Sequence, residues 1–414
     1  MQNNERSHWF DFQPENFKFE LTEGRLAHNG GVEYALFAVW KDARPNLSKI
    51  RDYLQSNFDI ILETQVIWSD KYFYNNACRL YDVPFSGKES SRRTQKGHRQ
   101  KIGEPAFPVF IVKDKKPDYG YFQSVSGSVA PGNQNVVRAK KYFRSLSPSS
   151  FSVHSSNDIS EFYTQAILIF GVDVLREILD GKRGDMSVIS KDLEGADGWL
   201  NWEHLYRVMN CTANYLVLRN FEEDPLLRPN SDLDLLAEDY QRLGSVMALK
   251  QHFEKGKPYK GILQIAGEEK NIDISFVGDG YIDQTWQLSM LNAKEKEGLL
   301  FRPDPQNYFF SLLYHAAVHK HEISERYRIR LLQLAEDIRF DGFTHQTFNS
   351  PENITSIISG FMNSNGYIHE NAIDEAIIQN QNVIKSLNTH RIPSRQGRLL
   401  RIKNKLERIF YGYG

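Results

Sequence analysis

The stretch from Tyr215 to Leu236, YLVLRNFEEDPLLRPNSDLDLL, limits what this chain can fold into more than any other. It reads as a strand, a polar turn region and a second strand carrying Ser231, Asp232 and Asp234. Side chains alternate across a strand, so Asp232 and Asp234 point one way while Leu233 and Leu235 point into a core. Two carboxylates held side by side on a rigid strand repel each other, and a divalent cation relieves that repulsion. Hard cations such as Mg²⁺ (or Mn²⁺) take oxygen ligands and keep room for substrate phosphates. A third carboxylate, Asp273, lies in the alternating segment NIDISFV, with Ile272, Ile274 and Phe276 as apolar neighbours.

This strand, turn and strand, followed by one more acidic strand, resembles the polymerase-β-type nucleotidyltransferase superfamily over roughly residues 200–290. Members carry an hG[GS] turn, a DhDh strand and a later carboxylate. The resemblance implies that Asp232, Asp234 and Asp273 are catalytic and hold Mg²⁺. It also implies that Arg219, Asn220 and Ser231 lie against the nucleotide. Arg219 and Asn220 stand where the family has Gly-Ser or Gly-Gly. A guanidinium there is expected to meet phosphate directly in place of backbone amides.

A chain of 414 residues predicts two to three domains. The expected divisions are 1–180, 195–300, a helical domain over 301–390 and a basic amphipathic tail over 391–414. The fold class expected is α+β. The 51 basic and 52 acidic residues balance, which removes any global electrostatic case for nucleic acid. Two cysteines, Cys78 and Cys211, exclude a disulfide scaffold and suit a reducing cytoplasm. The first ten residues lack an apolar core of the signal-peptide kind, and no run of about 18 apolar residues is present.

Residues 32–171 alternate strand and helix four times, the order of a ferredoxin-like α/β sandwich. Residues 114–133, rich in Gly, Ser, Pro and Asp, are expected to be loop, and 239–253 to be one helix. Here Trp40-Lys41-Asp42 and His154-Ser155-Ser156-Asn157-Asp158, with Glu161 behind, occur in strand-end positions. They resemble the IKPD and HGSD segments of nucleoside diphosphate kinases. The resemblance implies His154 as a nucleophilic or phosphate-contacting residue and Lys41 as its phosphate partner. The Pro of IKPD is missing, Ser155 replaces the Gly, and Phe151 stands where the family has Asn. A kinase-like fold that binds nucleotide or phosphate without kinase activity is the corresponding expectation. Residues 85–103 form a basic loop with six Lys or Arg against Glu89 alone, either a phosphate-binding flap or a solvated loop.

From Pro303 onward the chain is expected to be helical. His315 and His319 are four apart on one helix face. Ala316 occupies the place of the Glu in HExxH, so the zinc-protease motif is not met. His315, His319 and Lys320 are instead read as contacts to phosphate or base, against the alternative of a solvated helix face. The segment 391–413 joins seven Arg or Lys to an apolar stripe. It is expected to lie on an anionic membrane surface, on RNA or on its own chain. The functional expectation is Mg²⁺-dependent transfer of a nucleotidyl group from a nucleoside triphosphate to a hydroxyl acceptor: a sugar or polyol phosphate, RNA or a protein. It would take place in the cytoplasm or at the membrane face. The alternatives are phosphotransfer at His154, or a nucleotide-sensing scaffold whose sites have decayed.

Overall fold

A computed structural model describes residues 31–83, 102–123, 129–182, 188–221, 232–252 and 257–385, together with 11–13, 18–20, 100 and 387. Ser231, most of the basic loop 85–103 and the tail 391–414 lie outside the described residues. The fold is α+β with two five-stranded sheets.

The first sheet is built from β1 (Glu33–Val39), β2 (Asp59–Ile67), β3 (Ala106–Asp114), β4 (Val153–Ser155) and β5 (Val188–Ser190), in the order β4-β1-β3-β2-β5. The first four strands are mutually antiparallel, and β5 joins β2 in parallel. Every residue of β1 is buried, as a central strand covered on both faces demands. Helices α1 (Leu47–Asn57) and α3 (Gln134–Ser145) cover one face. There Phe37 meets Phe143 edge-on at 5.5 Å, among Ile50, Leu54, Phe110 and Val153. Helix α4 (Ile159–Phe170) is apolar nearly all round, and every residue from Phe162 to Phe170 is buried. Asp158 caps it by accepting from Glu161 N at 2.8 Å.

The second sheet contains β6 (Tyr215–Val217), β7 (Leu233–Ala237), β8 (Lys250–His252), β9 (Lys257–Ile265) and β10 (Glu268–Phe276), in the order β6-β7-β10-β9-β8. Strands β9 and β10 form a hairpin whose two turn residues, Ala266 and Gly267, have φ of 52° and 81°. Positive φ at both residues matches the right-handed twist of the flanking strands.

Two expected elements differ. Residues 119–123 and 129–133 pair as a hairpin where a loop was expected. The helix expected over 239–253 ends at Val246, as Tyr240–Val246. Ala248 turns left-handed (φ 57°), Ala248 N donates to Ser245 O, and Leu249 N donates to Gly244 O at 2.9 Å. That double closure stops a helix and releases the chain into β8.

By internal packing the chain divides into two compact units. One comprises Met1–Tyr215, Glu223–Ile274 and Gly298–Leu300; the other comprises Leu216–Glu222, Ser275–Glu297 and Phe301–Gly414. Within the first, the buried Arg79 guanidinium donates to the carbonyls of Glu194, Ser245 and Val246. The second is mainly helical, with helices over Pro305–Val318, Glu325–Asp337 and Pro351–Asn365. In its core Phe310 stacks on Phe361 at 3.8 Å and Trp286 on Tyr367 at 5.5 Å. Cys78 and Cys211 are buried and form no disulfide. Among the described residues no helix is long and apolar enough to cross a membrane.

Gly280 has φ of +73°, and a Cβ there would come within 2.2 Å of Asn371 O. Gly280→Ala is expected to destabilise the protein by at least ~1–2 kcal/mol, the cost of a left-handed L-residue before any clash is counted. Chemical denaturation measures it; an unchanged midpoint would contradict this packing.

Candidate functional site

The β9/β10 hairpin fixes the position of Asp273. Along β10, Ile272, Ile274 and Phe276 are buried, while Asp273 and Ser275 are half-buried on the other face. Strand β7, adjacent to β10, repeats the pattern: Leu233 and Leu235 are buried, Asp234 is half-buried, and Asp232 is exposed one residue before the strand. Asp232, Asp234 and Asp273 thus come from adjacent strands and act on one another. Burial raises the Asp273 carboxyl above its usual range, and Asp234 and Asp232 raise it further.

Lys260 opposes those effects. It stands directly across the hairpin from Asp273, and its Nζ lies 2.6 Å from Asp273 Oδ2. A second lysine is attached to the same cluster: burial draws the Lys270 ammonium down, and Asp232 and Glu268 hold it up. Among the described residues, no three His, Cys, Asp or Glu side chains are grouped so as to hold a metal ion. The oxygens of Asp232 and Asp234 still suit Mg²⁺ or Mn²⁺, because Mg²⁺ is ordinarily bound through one or two carboxylates completed by substrate phosphates.

A second constellation lies wholly within the helical unit and joins four sequence-predicted residues. Arg219 Nη1 donates to the Tyr281 hydroxyl at 2.9 Å, and that hydroxyl bonds His315 Nδ1. The His319 ring packs on Tyr281 at 4.4 Å. Burial, then Arg219, holds both imidazoles neutral: His315 falls well below its usual range and His319 to about 3. Lys320 is exposed but adds to both effects. Asn220 takes a left-handed backbone (φ 61°), and its Oδ1 accepts from Arg326 at 3.0 Å. Sequence reasoning missed Tyr281 and also His369, whose Nδ1 bonds the Tyr314 hydroxyl at 2.6 Å. Neither sits at a helical spacing from its partner, so no local signal marks them.

His154 is placed differently from its kinase-like expectation. It is 3% exposed, on β4 opposite Ala38, with the Tyr81 ring edge-on at 4.5 Å. Helix α3 clamps the backbone on either side: Arg144 donates to Val153 O, and Lys140 Nζ donates to Ser155 O. His154 Nε2 has no partner among the described residues. Burial, then the Lys140 charge, lowers its pKa to about 3. Lys41 is exposed in a short 3-10 turn, and no hydrogen bond or ion pair among the described residues joins it to His154.

An imidazole held neutral in the fold but free to protonate when unfolded favours unfolding below its ordinary pKa. Stability from His154 is therefore complete above about pH 6.5 and is lost as pH falls toward about 3. His154→Gln should reduce the slope of unfolding free energy against pH between 6 and 4 by up to about 1.4 kcal/mol per pH unit. Denaturant titrations at several pH values measure it; an unaltered slope would mean that His154 is accessible to protons.

No protein-family model matches this chain, and no curated protein matches it.

Proposed function

We propose that this protein is a nucleotidyltransferase-type enzyme, moving a nucleotidyl group from a nucleoside triphosphate to a hydroxyl acceptor. The observation that carries the reading is the placement of Asp234 and Asp273 on the adjacent strands β7 and β10, with Asp232 one residue before β7. Neighbouring like charges cost stability, and active sites are where such costs are retained. Asp232 and Asp234 would hold a divalent cation, which when bound neutralises the negative charge of the phosphates. In the transfer the acceptor oxygen bonds the α-phosphorus, the α–β bridging bond breaks, pyrophosphate leaves, and the hydroxyl proton passes to Asp273.

The two resemblances receive topological support. The antiparallel order β4-β1-β3-β2, with helices after β1 and β3, is that of a ferredoxin-like sandwich, to which β5 is added. The DhDh strand lies beside the later acidic strand, as the nucleotidyltransferase reading requires. The burial of His154 favours a packing role for it over phosphotransfer. The Arg219–Tyr281–His315 group, with Lys320, is read as an anion-binding place in the helical unit.

Calorimetry with each nucleoside triphosphate, with and without Mg²⁺, tests the reading. Asp234→Asn should weaken Mg²⁺-dependent nucleotide binding by at least about tenfold, and His154→Gln by less than about twofold. Equal losses, or no Mg²⁺-dependent binding by the wild type, would refute it.

A further inference from the structure

We infer that Lys260 is a built-in cation at the third carboxylate, so that a divalent ion binds Asp232 and Asp234 without Asp273 as a ligand. The inference rests on the nucleotidyltransferase reading for the presence of that ion, but its ground is separate. Lys260 and Asp273 are directly opposed in the register of the hairpin, and this places the ammonium on the carboxylate by backbone pairing. The contact is 2.6 Å, with only 29% of the Lys260 side chain and 31% of the Asp273 side chain exposed. A pair set by cross-strand register and half-withdrawn from water is not screened like a surface ion pair. No third His, Cys, Asp or Glu completes a metal-holding group among the described residues.

The consequence is a division of labour within one acidic cluster. Asp232 and Asp234 face an exchangeable cation. Asp273 is held by a lysine of its own chain, which positions it and keeps a positive charge at that corner whether or not a metal is present. Lys260 is thus a positioning residue, distinguished by its effect on metal affinity.

Mn²⁺ is titrated into the full chain, and free Mn²⁺ is read by electron paramagnetic resonance. Asp234→Asn should weaken Mn²⁺ binding at least about tenfold, whereas Asp273→Asn should change it less than about twofold. Lys260→Met, by freeing Asp273, should tighten binding at least about tenfold, and adding Asp273→Asn to it should cancel that gain. Lys260→Arg keeps the charge and should bind as the wild type does; circular dichroism checks that each variant folds. If Asp273→Asn weakens the wild type as much as Asp234→Asn does, Asp273 is a ligand and the inference is overturned, while the nucleotidyltransferase reading stands. Mn²⁺ binding that appears only in Lys260→Met overturns the inference, because Asp232 and Asp234 then hold no ion without Asp273, and it removes the nucleotidyltransferase reading as well. No binding in either protein overturns both.

Discussion

The repulsion among Asp232, Asp234 and Asp273 is the constraint around which the second sheet makes sense. Like charges near one another in a half-withdrawn setting favour the protonated form, which is the direction in which Asp234 and Asp232 push Asp273. A sheet stabilised by Leu233, Leu235, Ile272 and Ile274 on its other face tolerates that repulsion because alternation separates the two faces. The hairpin then supplies part of the compensation itself, bringing Lys260 to Asp273 by register. Asp232 and Asp234, on β7 and its approach, offer oxygen donors of the kind that suit a hard cation.

The helical unit solves a different problem. Arg219 is a permanent charge placed among imidazoles, and the structure keeps those imidazoles neutral by burying them beside it. Tyr281 mediates between the two, accepting from the guanidinium while its hydroxyl shares a hydrogen bond with His315 Nδ1. A neutral His319 with a buried Nδ1 and no partner among the described residues leaves hydrogen-bonding capacity in reserve. Uncompensated polar groups of this kind are retained where a ligand or water completes them.

Much of this was legible in the sequence, and the limits are instructive. The alternation of DLDLL and NIDISF showed which acids share a face, because period two is a local property. Lys260 stands opposite Asp273 only once the turn is placed at Ala266-Gly267, and a left-handed Ala266 carries no local turn signal. The His315–His319 spacing was plain, whereas Tyr281 lies 34 residues from His315 and only tertiary packing unites them. The end of the helix at Val246 escaped notice because a left-handed Ala248 carries no Gly or Asn signal. The burial of His154 was invisible for a related reason: a three-residue strand looks exposed until α3 and α4 cover it. The basic loop, Ser231 and the amphipathic tail lie outside the described residues.

On the proposed reading, two of the three acids, and not all three, present oxygens to a catalytic cation. A crystal structure of the protein with Mn²⁺ and a non-hydrolysable nucleoside triphosphate, recorded at the manganese absorption edge, tests it directly. Anomalous density ligated by Asp232 and Asp234, with Asp273 still on Lys260, is the expected result. Manganese bound by Asp273 after Lys260 has left it, or density away from all three carboxylates, would contradict it.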